Sequence, residues 1–224
     1  MLGTVPFAAT ANGTAVELGT LAAIWRYPVK SLAAESLTQT KIESRGIPGD
    51  RVSALFAGDG HPRAGKTYEG IHDDRLHLWR RAEDAVADAG KRGVHLTERN
   101  GDGPYHFSLP ISLIFDRWIA EVEGAVGQTL DPLRWRPNLL ARAADEFAHT
   151  EHDLVGKSLH LGTVVLRPVK VIKRCVVPTY DVGGGPSTPD VQTYVVGKRA
   201  NVMGVYCEVV TAGEVRTGAA LCEG

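Results

Sequence analysis

The 224 residues are 43% hydrophobic and 23% charged, so the chain is long enough to bury a stable core without disulfide bonds. A formal net charge of −1 argues against a nucleic-acid or anionic membrane partner held by bulk electrostatics. The three cysteines have no CxxC spacing, which excludes a zinc knuckle and a disulfide framework. No apolar run is long enough to span a bilayer. We therefore expect a cytoplasmic protein that acts on a small molecule.

The first part of the chain is predicted to be mostly strands. Residues 1–14 are predicted to form a flexible tail rather than a signal peptide, and residues 15–105 are predicted to form a first β segment. Pro28 ends its opening strand and leaves Lys30 and Ser31 on a loop where they can meet an anion. A tight turn then carries Arg51, whose guanidinium suits a phosphate, but for an isolated GDR sequence we favour an ion pair with the preceding aspartate.

The second part, residues 106–224, is predicted to contain more strands and few helices. Ser108 and Pro110 are typical of a helix start, and apolar residues at helical spacing extend that predicted helix to Gly127. Arg136 and Asn138 flank a proline, which presents both polar side chains from a fixed backbone. Closely spaced strands with only two or three helices predict a mainly β fold, a barrel or sandwich with helices added, in two closely joined segments without a linker.

The segment VKVIKRCVVPTYDVGGG, residues 169–185, contains the strongest candidate for chemistry. Two cations precede Cys175, and nearby positive charge lowers a thiol pKa from about 8.5 toward neutrality, which favours a reactive thiolate. The alternative is a small buried apolar side chain, as lone cysteines usually are. Tyr180 and Asp181 are candidates for an acid and an orienting group beside Cys175, but turn chemistry explains Asp181 equally well.

Five ordered motifs, YPVKSL, RGIPGDR, RWRPNLL, KRCVVPT and GVYCEVVTAGEVRTG, carry a family resemblance. The chain resembles MOSC proteins, named for the C-terminal domain of molybdenum cofactor sulfurase. The layout is similar to the branch with an N-terminal MOSC β-barrel segment, which includes the mitochondrial amidoxime-reducing component and its bacterial relatives. The resemblance implies a MOSC-type β-barrel with a smaller N-terminal β segment.

The resemblance also implies a cofactor site. Cys175 would ligate the molybdenum of the molybdenum cofactor (molybdopterin), whose phosphate would be held by Lys30, Ser31 and Arg51. The pterin would be held by Arg136, Asn138 and Arg174. Molybdenum is soft enough to prefer thiolate, and the cofactor would carry the redox chemistry.

The implied reaction is two-electron reduction of N-hydroxylated or other N–O and S–O substrates. Electrons would come from a separate protein of flavoprotein, ferredoxin or cytochrome type, because the sequence has no flavin or iron–sulfur motif. Phe107, where relatives often have an acidic residue, and the glycine-rich loop at Gly183–Gly185 depart from the family pattern. Two alternatives stay open, a sulfur-carrier or cofactor-delivery protein with a Cys175 persulfide, and a cofactor-free enzyme with Cys175 as nucleophile.

Overall fold

The computed structural model describes residues 15–101 and 104–224, so the predicted tail at residues 1–14 lies outside the described part of the chain. In chain order the strands are β1 (Val16–Arg26), β2 (Glu35–Leu37), β3 (Gln39–Ile42), β4 (Ser53–Ala57), β5 (Leu96–Asn100), β6 (Ile111–Phe115), β7 (Leu139–Ala143), β8 (Leu159–Leu161), β9 (Val164–Lys173), β10 (Val202–Thr211), β11 (Gly213–Arg216) and β12 (Ala220–Glu223). The helices are α1 (Ala82–Lys91), α2 (Asp116–Val126), α3 (Glu151–Leu154) and α4 (Pro189–Lys198).

Seven strands close into a barrel. The order around the ring is β1, β12, β8, β9, β10, β6, β7 and back to β1, with β2 added beside β1. Neighbouring strands are antiparallel except for the parallel pair β6 and β7. This ring confirms the predicted mainly β fold with a β-barrel. The division at residue 105 stays a prediction, although β1 closes the barrel against strands of the second segment.

Strand β1 is irregular and pairs with three other strands, β2, β7 and β12. Its register shifts between Glu17 and Gly19 where it pairs with β12. Gly19 has a φ of +150°, and a Cβ atom there would lie 2.0 Å from the carbonyl oxygen of Arg142 in β7. Only glycine permits this close backbone approach, and irregular strand pairing of this kind is how a barrel turns a corner.

The prediction of a helix that starts at Ser108 is wrong for the first half of that segment. Residues 111–115 form β6, all five of them buried, and α2 begins only at Asp116. A short continuous apolar run fits a strand covered on both faces as well as a buried helix, and periodicity cannot separate the two. The predicted end is confirmed, because Gly127 caps α2 with a φ of 72° in the left-handed region.

Helix α4 was not predicted from the sequence, and the described residues contain four α-helices instead of the predicted two or three. The segment before it is rich in Gly, Pro, Ser and Thr, which favours a loop, but Pro189 occupies the first turn, where its fixed φ suits a helix start. Val191 and Val195 then bury one face of α4 against the barrel core.

Within the described residues, no helix is long and apolar enough to cross a membrane.

A smaller core lies outside the barrel. Leu55, Leu76 and Leu96 pack with three alanines of α1 in this second cluster, separate from the main core. We call residues 53–100, which supply β4, α1 and β5, the lobe. The lobe brings a loop around residues 69–77 to one rim of the barrel, where the candidate site lies.

Candidate functional site

A cavity of about 320 Å³ lies where β9 ends, between barrel residues and the loop of the lobe. We call it the Cys175 cavity. Six of the nine predicted site positions are close together around it, and the three others are described below. The six lining residues are Ser31, Arg51, Arg136, Asn138, Arg174 and Cys175.

Cys175 follows directly after β9, and its side chain is a free, exposed thiol at the cavity. The alternative of a buried apolar cysteine is therefore wrong for this residue. A 3-10 turn at Val177–Thr179 follows, and it carries the chain away from the cavity toward the glycine-rich loop. The neighbouring Lys173 also lines the cavity but donates its ammonium to the carbonyl oxygen of Ala200 at 2.6 Å.

Arg136 and Arg174 are cations without a carboxylate partner among the described residues. Arg174 donates to the main-chain carbonyls of Met203 at 2.7 Å and Trp135 at 2.8 Å. Arg136 donates to the carbonyl of Leu32 at 2.7 Å. Burial lowers the pKa of each guanidinium to about 10, because a desolvated cation without a counter-charge is unfavourable. An anion in the cavity would supply that counter-charge.

Asn138 links the barrel strands to the turn that carries Arg51. The side chain is 1% exposed, and its Oδ1 accepts from the backbone N–H and hydroxyl of Ser112 at 3.2 and 3.0 Å and from Arg51 at 3.3 Å. Arg51 also pairs with Asp50, so the predicted ion pair is present while the guanidinium still lines the cavity. Asp50 in turn accepts from the backbone N–H of Tyr27 at 2.7 Å.

Lys30 is not among the residues that line the Cys175 cavity. Its ammonium lies 2.9 Å from a carboxylate oxygen of Glu69 and 4.1 Å from the ring centre of Phe107. Its charge is therefore already paired. Ser31 does line the cavity, with a φ of 72°. The predicted phosphate contact stays a prediction for both residues, and Ser31 is the better placed of the two.

Tyr180 and Asp181 are not among the residues that line the Cys175 cavity. Tyr180 lines a second cavity of about 240 Å³, and burial raises its pKa. Asp181 accepts from the backbone N–H groups of Gly183 and Gly185 at 2.9 and 3.0 Å and from Arg134 at 3.0 Å. These bonds, the one from Gly185 first, lower the Asp181 pKa. Such contacts fit the turn-forming alternative, and they provide no support for a role beside a metal.

Several lining residues were not predicted as site residues. Arg134 and Trp135 are buried, line the cavity, and each has an N–H without a hydrogen-bond partner, Arg134 Nε and Trp135 Nε1. Both lie in the RWRPNLL motif, which is the sequence signal that could have identified them as site residues. His77 also lines the cavity and donates from Nε2 to the carbonyl of Asp181 at 2.8 Å. His106 lines the cavity too, and no sequence pattern identified it as a site residue.

The residues present fit the molybdenum cofactor in charge and in donor type. The cavity offers one exposed thiol, two guanidiniums without counter-ions, and two unpaired buried N–H groups. An anionic ligand with a soft metal matches that donor set. Among the described residues, no group of three or more His, Cys, Asp or Glu side chains forms a metal cluster. Cys175 is thus the protein ligand that the cavity offers to such a metal.

Fold and site together define a β-barrel protein with a cysteine-bearing, cationic cavity at the rim of the barrel. The chain belongs to the MOSC domain family, because the MOSC domain model matches residues 102–221 and the MOSC N-terminal beta barrel domain model matches residues 18–80. The predicted family is confirmed.

The solved structure of YuaD supports the fold, and two further structures are similar to a lesser degree. YuaD of Bacillus subtilis is 17% identical, with a TM-score of 0.56 over 92% of this chain and 94% of that chain. YiiM of Geobacillus stearothermophilus is 17% identical, with a TM-score of 0.41 over 52% of this chain and 54% of that chain. YiiM of Escherichia coli is 9% identical, with a TM-score of 0.46 over 95% and 70%. No curated protein gave a significant match.

Proposed function

We propose that this MOSC protein is an oxidoreductase that binds the molybdenum cofactor in the Cys175 cavity and reduces N-hydroxylated or other N–O and S–O substrates. The observation that carries the proposal is the exposed thiol of Cys175 beside Arg136 and Arg174, two half-buried cations without carboxylate partners among the described residues. A thiolate suits a soft metal, and the two guanidiniums suit the anionic groups attached to it.

Each lining residue has a role that follows from its contacts. Cys175 would ligate the metal, which when bound would supply the two-electron redox chemistry. Arg136 and Arg174 would hold the pterin with their free N–H groups, and Ser31 and Arg51 would meet the phosphate. The side chain of Asn138 already forms hydrogen bonds within the protein. Its main role would therefore be to hold Arg51 in place, with only partial contact to the ligand. Apolar side chains at the mouth, including Phe107, would limit access of water.

Reduction of an N–OH group to N–H releases water and consumes two electrons and two protons. His77 is placed to handle a proton. Because a carbonyl oxygen can only accept, Nε2 of His77 carries the hydrogen that bonds Asp181, and Nδ1 is left with a lone pair. Nδ1 can therefore accept a proton and return it to the substrate. Electrons would come from a separate flavoprotein, ferredoxin or cytochrome, and we place the reaction in the cytoplasm.

Metal content tests the proposal. The chain is expressed in a host that makes the molybdenum cofactor, and molybdenum is measured by mass spectrometry in the wild type, Cys175→Ala and Cys222→Ala. We expect stoichiometric molybdenum in the wild type and in Cys222→Ala, because Cys222 lies in β12 and does not line the cavity. Cys175→Ala should lose most of the metal, and its melting temperature should equal that of the metal-free wild type, since Cys175 is exposed. A wild type without molybdenum would overturn the proposal.

The exposed thiol also supports a second candidate, a sulfur carrier that holds a persulfide on Cys175. Incubation with a cysteine desulfurase, followed by mass spectrometry, distinguishes the two. An added sulfur on Cys175 in protein that contains no molybdenum would favour the carrier. A cofactor-free enzyme with Cys175 as nucleophile requires activity without metal that Cys175→Ser abolishes.

A further inference from the structure

The second cavity, which Tyr180 lines, is not used by the proposed function. It measures about 240 Å³ and adjoins the Cys175 cavity, because His77, Arg134, Arg136 and Val177 line both. These four side chains form the partition between the two spaces. A ligand in the second cavity would therefore lie one layer of side chains away from the space that Cys175 faces.

The charge of the second cavity has one sign. Arg80, Arg134 and Arg136 line it, and its described lining contains no carboxylate. Arg80 is exposed and forms no ion pair or hydrogen bond within the described residues. Arg134 is 6% exposed, and although its Nη2 bonds Asp181, its Nε has no partner. Arg136 has no carboxylate partner, as described above. Three guanidiniums with spare donors favour an oxyanion, which they can bind through paired hydrogen bonds.

The remaining lining is apolar and aromatic. It includes the rings of Tyr27 and Tyr180, the second of which lies parallel to His77 with ring centres 6.1 Å apart. The apolar members are Ala33, Ala34, Leu78, Leu133, Val177 and Val182. Pockets for drug-sized ligands measure about 300–1,000 Å³, so this volume suits a smaller molecule. The lining matches a compact apolar body that carries one anionic group.

We propose that the second cavity binds the oxyanion of a small organic acid, a carboxylate or a phosphate monoester on an aromatic or other compact apolar body. Arg80, Arg134 and Arg136 supply the donors for this anionic group, and the aromatic and aliphatic side chains of the lining contact the apolar body. The role of this site as an anchor for acidic substrates of the Cys175 cavity rests on the proposed function. Binding itself does not, because it requires neither molybdenum nor Cys175.

The test is an amide NMR titration of the full chain as purified, in a buffer without phosphate or carboxylate. The probes are benzoate, phenyl phosphate, inorganic phosphate and the neutral benzamide. We expect benzoate, phenyl phosphate or both to shift the amides of Ala34, Leu133 and Tyr180, and benzamide to bind much more weakly. Whichever acid binds more tightly identifies the anionic group. Amides that line only the Cys175 cavity, such as Leu109, should shift least.

Two neighbouring arginines provide the variant and its control. Arg80→Gln should weaken binding of the acids about tenfold, the equivalent of one charge-assisted contact. Arg81→Gln should leave it unchanged, because Arg81 pairs with Glu83 at 2.7 Å and lines neither cavity. Ala34→Phe, which fills the space without a change of charge, should abolish binding, with the circular dichroism spectrum as a check of folding.

Three outcomes would overturn the inference. Benzamide bound as tightly as benzoate would remove the requirement for an anion. Inorganic phosphate bound as tightly as phenyl phosphate would remove the requirement for an apolar body. Equal affinities of Arg80→Gln and the wild type for the acids would show that the acids bind outside the second cavity. Molybdenum measured in the same samples separates this result from the proposed function, because a metal-free chain that binds benzoate supports the site alone.

Discussion

The Cys175 cavity has two walls of different construction. The barrel wall carries Arg174, Cys175 and Asn138, which lie next to the ends of strands. The side chains of Arg174 and Asn138 donate to main-chain carbonyls of Met203 in β10, Trp135 and Trp25 in β1. The lobe wall, which carries Glu69 and His77, consists of turns outside regular strands. A large core supports the first wall and a much smaller core supports the second.

This difference assigns different tasks to the two walls. Groups that must meet a metal and an anion need fixed geometry, and strand ends backed by a close-packed core provide it. Turns tolerate substitution and insertion at smaller cost. We therefore expect the barrel wall to determine which group is bound and the lobe wall to determine which substrate reaches it.

The largest expected effect comes from a change behind the barrel wall. Gly204 in β10 has a φ of +87°, and a Cβ there would lie 2.9 Å from the carbonyl of Leu113 and 3.2 Å from Arg174 Nη2. Gly204→Ala should lower the free energy of unfolding by about 2–4 kcal/mol, through backbone strain and overpacking. Urea denaturation measures it. Gly197→Ala in α4, where a Cβ meets nothing within 4 Å, is the control and should be neutral or stabilising. Equal stability of Gly204→Ala and the wild type would contradict a rigid barrel wall.

A smaller effect should follow from a change behind the lobe wall. The carboxylate of Asp73 is buried and accepts from Arg92 at 2.6 Å and from the backbone N–H of Arg75 at 3.0 Å. Asp73→Asn should lower stability by about 1–3 kcal/mol, a loss moderated because Arg92 keeps Asp88 as a partner at 2.9 Å. Asp74→Asn, at an exposed neighbouring position, should change little.

Hydrogen exchange shows where the Asp73→Asn effect falls. Amide protection should drop in β4, β5 and α1 while β9 and β10 keep theirs, because the lobe has its own core. Equal loss of protection in both regions would mean that the two walls unfold as one unit.

The sequence predicted the barrel wall better than the lobe wall, for a physical reason. The cysteine after β9 and the residues around the RPN corner lie in short motifs, and it was the family resemblance of these motifs that implied a shared site for Arg136, Asn138, Arg174 and Cys175. The fold agrees, because all four line one cavity at the barrel rim. Partner choice is a tertiary property, however. Nothing local distinguishes the charge of Lys30, which Glu69 neutralises, from a charge that faces the cavity.

The same limit applies to the other differences. Asp181 follows Tyr180 in the chain, and sequence alone cannot show that its carboxylate turns back onto Gly183 and Gly185. His77 lies nearly a hundred residues from Cys175, with no spacing rule that connects them. Burial on both faces made β6 resemble a helix, because apolar residues occupy four of its five positions and Ser112 is the exception.

The smallest expected effect is a pH dependence specific to the lobe wall. Burial, the first cause, lowers the pKa of His77 below its ordinary value near 6.5. The unfolded chain therefore binds a proton that the folded chain resists as the pH falls through 6.5, so this group leaves stability intact at neutral pH and reduces it on acidification. Denaturation in urea at pH 7.5 and 5.5 should show that loss. His77→Gln removes the titrating group but can still donate to the Asp181 carbonyl, so its loss on acidification should be smaller than that of the wild type. An unchanged difference between the two pH values would assign the acid sensitivity to other groups, such as His72 and His106, whose pKa values burial also lowers.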